Sequence, residues 1–347
     1  MVKFKDSQHF SFLLPIYLFI LNGNCMAYEN HTPVSIGFAG DVMIGGMVNE
    51  KISENGFSYP WGNVLPLFKA TDLNLINLEA PLTHFNKSQR IKSSNLKAEP
   101  TRIQTLMDAR IDVVNIANNH ILDFYEEGLI ETIGLLNKAG IAHVGAGSNS
   151  QQAAQPVIIS KNGVNIGLLG FTDNEPYWKA VDKPGTNYVQ VGDIATIKEA
   201  IAMVRNKVDI LILSIHWGDK MNDKPLPEFV SFAHKIIEAG VDIIHGHGAH
   251  VFQGIEVYNG KLIMYDTGDL IDDYELNPDL KNNQTCFFNC EIDKDGVKKV
   301  KLVPIVLENM QARIAQNSEY DDILNHMQQL SAAFGTSINS NGEVLVN

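Results

Sequence analysis

The sequence VSIGFAGD, residues 34–41, is an apolar strand-like run that ends in a carboxylate, and four later runs end in a comparable way. Each run leads into residues that can bind a metal ion: Asp41, then Glu79, then Asn118, Asn119 and His120, then His216, and finally His245, His247 and His250. Ligands of α/β proteins bind outside the carboxyl ends of the strands. We therefore expect these side chains to converge in space, although they are far apart in the sequence.

Strand-like and helix-like segments alternate from the first run to about residue 245. Leu129, Ile133 and Leu136 recur at helical spacing, for example, and Gly140 ends that pattern. Alternating units with nearly continuous apolar strands predict a mostly parallel sheet covered on both faces. Four of the runs begin directly after an aspartate, where we expect turn and capping roles at the opposite end of the sheet, at Asp72, Asp112, Asp209 and Asp242.

From about residue 252 the pattern becomes antiparallel. Two strands joined by Asn259-Gly260 predict a tight hairpin, and a second hairpin is predicted to turn at Asp295-Gly296. The antiparallel pattern in the carboxyl-terminal half of the sequence predicts either a mixed sheet or a second sheet packed on the first. Cys286 and Cys290 are four residues apart on a predicted strand, which separates their Cα atoms by about 13 Å, too far for a disulfide. We expect free thiols.

The composition is that of a globular protein, with 45% hydrophobic and 19% charged residues in a chain of 347. The formal net charge of −13 argues against long-range attraction to nucleic acid or to an anionic membrane surface. An anionic substrate would need a local positive feature, such as a metal ion, to hold it.

The first 27 residues have the layout of a secretory signal peptide. Lys3 and Lys5 precede an apolar run at residues 10–21, and Ala27 offers a cleavage site before Tyr28. This predicts export to the periplasm, the cell envelope or the medium. Lipid modification of Cys25 is a less fitting alternative because Asn24 precedes it, and an uncleaved anchor or a buried start also remains open.

Asp41 and Glu79 are the two candidate carboxylate ligands. Asp41 ends its strand beside Gly45 and Gly46, where flexible backbone suits binding of a cation. The alternative for Asp41 is an ordinary helix cap. Glu79 ends an apolar run, where a glutamate is rare unless it is coordinated or paired, so the alternative for Glu79 is a buried ion pair.

Asn118, Asn119 and His120 combine a neutral oxygen ligand with a group that binds metal or transfers a proton. The alternative for the two asparagines is a turn, because Asn tolerates left-handed backbone geometry. Taken alone, His216 would be interpreted as a buried histidine whose ring nitrogens are hydrogen-bonded within the core. Its place at a strand end instead favours a metal ligand.

The HGHGAH segment carries three histidines separated by small residues, which lets the backbone fold closely around an ion. We expect His247 and His250 to be ligands and His245 to be buried in its strand. Histidines elsewhere have no such setting, and surface or packing roles are expected for His31, His84, His143, His234 and His326. The sequence contains no GxSxG nucleophile motif and no phosphate-binding glycine motif.

With these segments identified, the chain resembles the CapA family of poly-γ-glutamate capsule synthesis proteins. The motifs that carry the resemblance are GDVMIGG (40–46), NLEAPLT (77–83), LKAEP (96–100), NIANNHILDFYEEGL (115–129), SIHWG (214–218), the segment 246–269 and LVPI (302–305). The family is similar to calcineurin-like metallophosphoesterases. The resemblance implies a four-layer α/β/β/α sandwich with mixed sheets over residues 33–310, followed by a C-terminal helix and tail over 311–347.

Carried over to this chain, the resemblance implies a site for one or two divalent ions, Mn, Fe, Zn or Mg. The implied metal ligands are Asp41, Glu79 as a bridging carboxylate, Asn119, His216, His247 and His250, and His120 is implied as the catalytic residue. The chain departs from the phosphoesterase pattern at Met43, which stands where the first motif has a histidine. One metal position therefore lacks a histidine ligand of the pattern, and phosphoesterase activity does not follow from the fold.

The function implied by the resemblance is synthesis, export or processing of poly-γ-glutamate in the cell envelope, with metal-dependent hydrolysis as the expected chemistry. The expected partners are an anionic polymer or phosphoester substrate and a membrane synthesis complex, with no nucleic acid. Two alternatives stay open beside a phosphoesterase acting on an unrelated substrate. One is a non-catalytic, polymer-binding component of a synthesis complex. The other is an envelope domain whose polar cluster is a hydrogen-bonded relic without a function.

Overall fold

The computed structural model describes Met1, residues 32–89 and residues 94–346. The predicted signal peptide lies outside these ranges except for Met1, as does His31. Within the described ranges, no helix combines the length and the apolar character needed to cross a membrane. By their internal contacts, the described residues from 32 onwards belong to one unit.

The strands are numbered in chain order. In the described residues they are β1 (Val34–Val42), β2 (Leu73–Leu78), β3 (Val113–Asn115), β4 (Ala142–Val144), β5 (Ala146–Gly147), β6 (Val157–Lys161), β7 (Val164–Thr172), β8 (Gly185–Thr186), β9 (Ile210–His216), β10 (Ile243–His247), β11 (Ile255–Tyr258), β12 (Lys261–Met264), β13 (Asp269–Ile271), β14 (Gln284–Asp293), β15 (Gly296–Glu308), β16 (Gln311–Ile314) and β17 (Glu343–Val344).

The helices are numbered in the same way. They are α1 (Gly46–Asn55), α2 (Leu65–Ala70), α3 (Ile103–Asp108), α4 (Tyr125–Ala139), α5 (Ser150–Ala153), α6 (Ile194–Val204), α7 (Pro227–Glu238) and α8 (Ser318–Ala332). Short 3₁₀ segments cover Tyr59–Val64, Pro100–Arg102, Pro176–Trp178 and Arg205–Lys207.

Two large mixed sheets form the framework. The first has the order β16-β15-β14-β1-β2-β3-β4, with β13 beside β1 and β17 beside β15. The second has the order β11-β12-β10-β9-β7-β6. In each sheet the strands that carry the candidate ligands run parallel, β1 with β2 and β3, and β9 with β10. Their carboxyl ends therefore lie along one edge of each sheet.

Three hydrophobic clusters give the layer order. One cluster lies between the sheets, where Phe38 and Leu75 of the first sheet share a core with Ile212 of the second. A second cluster packs α1 to α4 on the outer face of the first sheet. A third cluster packs α6 and α7 on the outer face of the second sheet. The predicted four-layer α/β/β/α sandwich with mixed sheets is confirmed.

The aspartates at the strand entrances bind the backbone of the adjacent strand. Each accepts a hydrogen bond from the N–H group of a residue at or next to the start of that strand: Asp72 from Ser35, Asp112 from Asn74, Asp209 from Asn165 and Asp242 from Leu211. These bonds fix the register of the sheets at the end opposite the candidate site, in agreement with the predicted capping roles.

The two predicted hairpins are present. Asn259 and Gly260 join β11 to β12, and both have positive φ angles, 51° and 71°, as a two-residue turn of this type requires. The second hairpin joins β14 to β15 through Lys294 and Asp295, so Gly296 begins the next strand instead of lying within the turn.

Cys286 and Cys290 both lie in β14, where they are buried and free. Burial raises the pKa of both thiols, which keeps them protonated and unreactive. The segment 311–347, predicted as a helix and tail, contains α8 and also two strands. Strands β16 and β17 both pair with β15, so this segment extends the first sheet.

Candidate metal centre

A register shift in β1 decides where Asp41 points. Ile36 and Phe38 face the second sheet, so strict alternation would put Asp41 on the opposite, helix-covered face. The pairing of β1 with β2 shifts between Phe38 and Asp41, and Ala39 and Val42 both pack on the helix side. Asp41 therefore faces the space between the sheets. Irregularities of this kind commonly re-aim a side chain beside a functional site.

His216 and His247 reach the same space from the second sheet. They are register partners at the ends of β9 and β10, and their Nδ1 atoms lie 3.1 Å apart. Oδ1 of Asp41 lies 3.7 Å from Nδ1 of His216 and 3.5 Å from Nδ1 of His247. The point equidistant from these three atoms is about 2.0 Å from each, which is the length of a bond between zinc and a His nitrogen.

A second group of potential ligands shares Asp41 with the first. Asp41, Glu79 and His250 can each place a ligand atom within 4.8 Å of the others. Nδ1 of His250 lies 3.5 Å from Oδ2 of Asp41, and Oε1 of Glu79 lies 3.9 Å from Nε2 of His216. Asp41 is the residue common to both groups, and the implied role of Glu79 as a bridging carboxylate stays a prediction.

The donor set fits a divalent cation. The side chains of both groups are buried: Asp41, Glu79, His216, His247 and His250. Among the described residues, Oδ2 of Asp41 and Nε2 of His250 have no hydrogen-bond partner. A buried polar atom without a partner costs free energy, and coordination by a cation would recover it. The set of imidazole and carboxylate groups suits Zn, Mn or Fe.

A tight loop after β10 brings His250 to the centre. His250 has a φ of 60°, and Gly248 has a φ of 117°. A Cβ atom at Gly248 would lie 3.1 Å from the carbonyl oxygen of Trp217 and 3.2 Å from the His216 ring, so the loop needs glycine at this position. Asp266 stabilises the loop by accepting a hydrogen bond of 2.7 Å from the N–H group of Ala249.

Asp269 orients the imidazole of His250. Nδ1 of His250 donates a hydrogen bond of 2.9 Å to Oδ1 of Asp269, which leaves Nε2 as the nitrogen with an available lone pair. Carboxylates that hold a ligating histidine in this way fix its tautomer and raise its basicity. Ser214 has a comparable role for His247, because its hydroxyl lies 3.0 Å from Nε2 and leaves Nδ1 towards Asp41.

His120 forms a buried pair with Asp123. Nδ1 of His120 donates to Oδ2 of Asp123 at 2.5 Å, and Nε2 of His120 lies 3.9 Å from Oε1 of Glu79. The turn that carries this histidine is organised by Asn118, whose Oδ1 accepts hydrogen bonds from the N–H groups of His120 and Ile121. His120 therefore lies beside the Glu79 end of the cluster, with a fixed ring orientation.

The two asparagines of the ANNH segment have different places. Nδ2 of Asn118 donates to the carbonyl of Leu78 at 2.8 Å, so this side chain links the ends of two strands, in keeping with the turn alternative. Asn119 is buried in the same turn between Asn118 and His120. Its implied role as a metal ligand stays a prediction.

His245 has a structural role in its strand. Its Nε2 lies 3.0 Å from the carbonyl oxygen of Ala39, and its Nδ1 lies 3.1 Å from the Ser214 hydroxyl. Both ring nitrogens therefore have hydrogen-bond partners, the Ala39 carbonyl and the Ser214 hydroxyl that also contacts His247, as the expectation of a buried strand position implies. Burial lowers the pKa of His245 to about 4, against the opposing effects of the Ala39 carbonyl and Asp41.

The ionisation states suit metal binding. Burial lowers the pKa of His250 to about 3 and that of His247 well below its ordinary value, although Asp41 opposes both shifts. Burial acts to raise the pKa of Asp41, but His216, His247 and His250 outweigh it and hold the pKa of that carboxyl far below its usual range. Neutral imidazoles and an ionised carboxylate are the forms that coordinate a cation.

Further carboxylates crowd the same region. Burial, together with Asp272 and Asp41, raises the pKa of Asp269 well above its ordinary value. Burial likewise raises the pKa of Asp272 to about 6. Several carboxyl groups are thus buried within one small volume, where burial and mutual repulsion disfavour their charged forms, and a divalent cation would stabilise those charged forms.

Four residues of the site were not predicted from the sequence: Asn77, Asn115, Asp123 and Asp269. Asn77 donates a hydrogen bond of 2.7 Å to Oδ1 of Asp41, and Asn115 contributes an amide 3.4 Å from Nε2 of His247. Asn77 had a usable signal, because it precedes Glu79 by two positions, a spacing that puts two side chains on the same side of an extended chain. Asp123 and Asp269 lie in motifs that carry the family resemblance, but no spacing rule identified them as site residues.

Met43 does not approach the centre as a ligand. It is buried in a small apolar cluster with Ala80 and Leu96, against which Tyr274 also packs. Where the phosphoesterase pattern has a histidine, this chain therefore has an apolar contact.

The histidines expected to have surface or packing roles lie elsewhere in the fold. His84 is exposed and pairs with Glu131 at 2.8 Å, and His234 pairs with Glu256 at 2.9 Å. His326 packs against the ring of Phe252, and His143 is half-buried on β4. None of these four belongs to either group of potential metal ligands in the described residues.

Comparison with known proteins gives a family match over most of the chain. Residues 35–274 match the family described as "Bacterial capsule synthesis protein PGA_cap". The chain is 30% identical over 314 residues to the PGA biosynthesis protein CapA of Bacillus subtilis (strain 168), which covers 87% of this chain and 82% of that protein.

Further similarities are found with a second bacterial protein and with a solved structure. A Mycobacterium tuberculosis protein named "Probable polyglutamine synthesis accessory protein" is 30% identical over 297 residues, covering 81% of this chain and 78% of that protein. Among solved structures, a 5′-nucleotidase from Candida albicans SC5314 superposes with a TM-score of 0.43 at 11% identity, covering 90% of this chain and 56% of the other.

Proposed function

We propose, from the premise that this chain belongs to the PGA_cap family of bacterial capsule synthesis proteins, that it is a metal-dependent hydrolase acting in poly-γ-glutamate synthesis, export or processing. The observation that carries the proposal is the triangle formed by Asp41, His216 and His247, whose dimensions suit one metal ion. The names of the similar proteins support the polymer, and the buried ligand set supports the chemistry.

When bound, a divalent ion would lower the pKa of a water molecule towards ~7 and polarise the substrate. Asp41, His216 and His247 would hold that ion, with Glu79 and His250 beside them. His120 would transfer a proton, because Asp123 fixes its Nδ1 and directs Nε2 to the side of Glu79. The substrate would be a γ-glutamyl amide of the polymer or a phosphoester.

Measurement of the bound metal distinguishes the proposed metal site from a polar cluster that binds no ion. Purified wild-type protein, reconstituted with Mn²⁺ or Zn²⁺, should retain one or two ions per chain, and His216→Ala should retain fewer. The control is His84→Ala, which removes an exposed histidine outside the site and should leave the stoichiometry unchanged. Equal and negligible metal in wild type and His216→Ala would contradict the proposal.

A second candidate function is a non-catalytic component that binds the polymer through a single ion. The buried apolar packing of Met43 favours it, because a two-ion hydrolytic site would lack one histidine ligand. Poly-γ-glutamate should then be retained by the metal-loaded protein and released by a chelator. Turnover of a panel of γ-glutamyl peptides and phosphoesters would exclude a purely binding role.

We also propose that the chain is exported by the signal peptide predicted at residues 1–27 and acts in the cell envelope beside a membrane synthesis complex. The sequence pattern of Lys3, Lys5 and the apolar run supports this location. Mass analysis of the protein expressed in a bacterial host should find a mature chain that begins near Tyr28. Recovery of the uncleaved chain from the cytosol would contradict export.

A further inference from the structure

Lys220 lies on a loop that is bonded at two points to the segment carrying the histidine ligands. The N–H group of Trp217 donates to the carbonyl of His247 at 2.9 Å, and the N–H group of Met221 donates to the carbonyl of Ala249 at 2.7 Å. Lys220 lies between these two bonds, so its backbone position is fixed relative to the centre. Its side chain is exposed.

Tyr274 connects this lysine with the centre. The ammonium group of Lys220 lies 5.9 Å from the centroid of the Tyr274 ring, and the Tyr274 ring meets the His250 ring edge-on at a centroid distance of 4.9 Å. An ammonium near an aromatic ring is attracted by its π electrons.

The surface beyond Tyr274 is acidic and unsuited to an anion. Tyr274 also lines a cavity of about 550 Å³ whose wall contains five carboxylates, those of Asp272, Asp273, Glu275, Glu308 and Glu319. The arginine in that wall, Arg313, is already bonded to Glu308 at 3.0 Å and to Glu319 at 2.7 and 2.8 Å. An anionic substrate would therefore be repelled on the cavity side of Tyr274.

We propose that Lys220 is the residue that recognises an oxyanion of the substrate, a carboxylate or a phosphate, and positions it at the centre. The proposal rests on the proposed function, which requires an anionic substrate in a chain with a net charge of −13. The lysine supplies a positive charge on the loop beside the ligand cluster, next to Tyr274. Its long side chain reaches the substrate, while the loop bonds keep its origin fixed.

The test measures oxyanion binding by calorimetry in wild type, Lys220→Gln, Lys220→Arg and Lys224→Gln. Lys224 is the matched control, because it is an exposed lysine on the same loop. The probes are inorganic phosphate and glutarate, which distinguish a phosphate from a carboxylate ligand. Each is titrated with and without Mn²⁺, and metal content is measured in parallel.

Lys220→Gln should weaken binding of at least one probe about fivefold at low salt, with unchanged metal content. Lys220→Arg should retain most of the affinity, Lys224→Gln should bind as wild type, and the difference should shrink at an ionic strength of about 0.5 M. Equal affinities in wild type and Lys220→Gln, equal losses in both glutamine variants, or no probe binding by wild type would overturn the proposal. Wild type that holds no metal, yet binds a probe through Lys220, would contradict only the proposed function.

Discussion

The Nδ1 atoms of His216 and His247 lie 3.1 Å apart at the ends of the parallel strands β9 and β10. Asp41 completes the triangle from the other sheet, so these three side chains join the two halves of the sandwich. Buried nitrogen and oxygen donors at these distances are more stable with a cation between them than without one. Metal binding should therefore stabilise the folded chain.

The first prediction concerns Asp41, the residue common to both groups of potential ligands. Asp41→Asn keeps the shape of the side chain but removes its charge. Wild type at a metal concentration of 100 Kd should gain about 2.7 kcal/mol of unfolding free energy, seen as a higher Tm. Asp41→Asn should lose this gain.

The control is Asp72→Asn, because Asp72 binds the backbone of Ser35 at the opposite end of the sheet. This variant should be less stable than wild type in the absence of metal but should keep the full metal-dependent rise in Tm. An equal rise in Asp41→Asn would show that the ion binds elsewhere.

The second prediction concerns the buried pair formed by His120 and Asp123. Asp123→Asn removes the carboxylate that accepts the Nδ1 proton, so the ring of His120 loses its fixed tautomer. On a substrate identified from the panel, kcat should fall about 100-fold, with metal content and KM little changed.

The chain supplies a matched control for this variant in the exposed pair formed by His84 and Glu131. Glu131→Gln removes a carboxylate from a histidine in the same way, but at the surface, and should leave kcat unchanged. A loss of metal in Asp123→Asn would indicate that Asp123 supports the ligands and not proton transfer.

The strand-end positions of the site were predictable because parallel strands bring their carboxyl ends to one edge, and apolar runs mark the strands themselves. The direction of Asp41 was not predictable. It depends on a register shift between Phe38 and Asp41, which arises where β13 pairs with the end of β1, a contact between distant parts of the sequence. The role of Asp123 was hidden for a different reason. Its partner is three residues away, but this stretch is a turn and not a helix, so no apolar periodicity pointed to the pair.

The third prediction uses His143, which lies on β4 away from the centre. Burial lowers the pKa of His143 below its ordinary value of 6.5. As the pH falls below 6.5, the unfolded chain takes up this proton before the folded chain does, so the contribution of His143 to stability is full above 6.5 and is lost at lower pH. His143→Gln should therefore show a smaller loss of unfolding free energy between pH 7.5 and pH 5 in urea titrations. Parallel pH profiles for the two proteins would contradict the predicted shift.

The fourth prediction concerns the number of ions. Met43→His restores the histidine of the phosphoesterase pattern, but it places an imidazole in the apolar cluster of Ala80 and Leu96. The metal-free variant should be less stable than wild type by about 1–3 kcal/mol, because a polar group without a partner is costly to bury. If Met43 is what limits wild type to one ion, the variant should bind a second ion, and added metal should recover the lost stability.

Met43→Leu is the control for this variant, since it keeps the cluster apolar and should leave the stoichiometry at the wild-type value. Two ions in wild type would show that the second group, Asp41, Glu79 and His250, binds an ion without a histidine at position 43. One ion in both wild type and Met43→His would mean that the backbone at Met43, bonded to Ile271 in β13, holds the new side chain too far from that group.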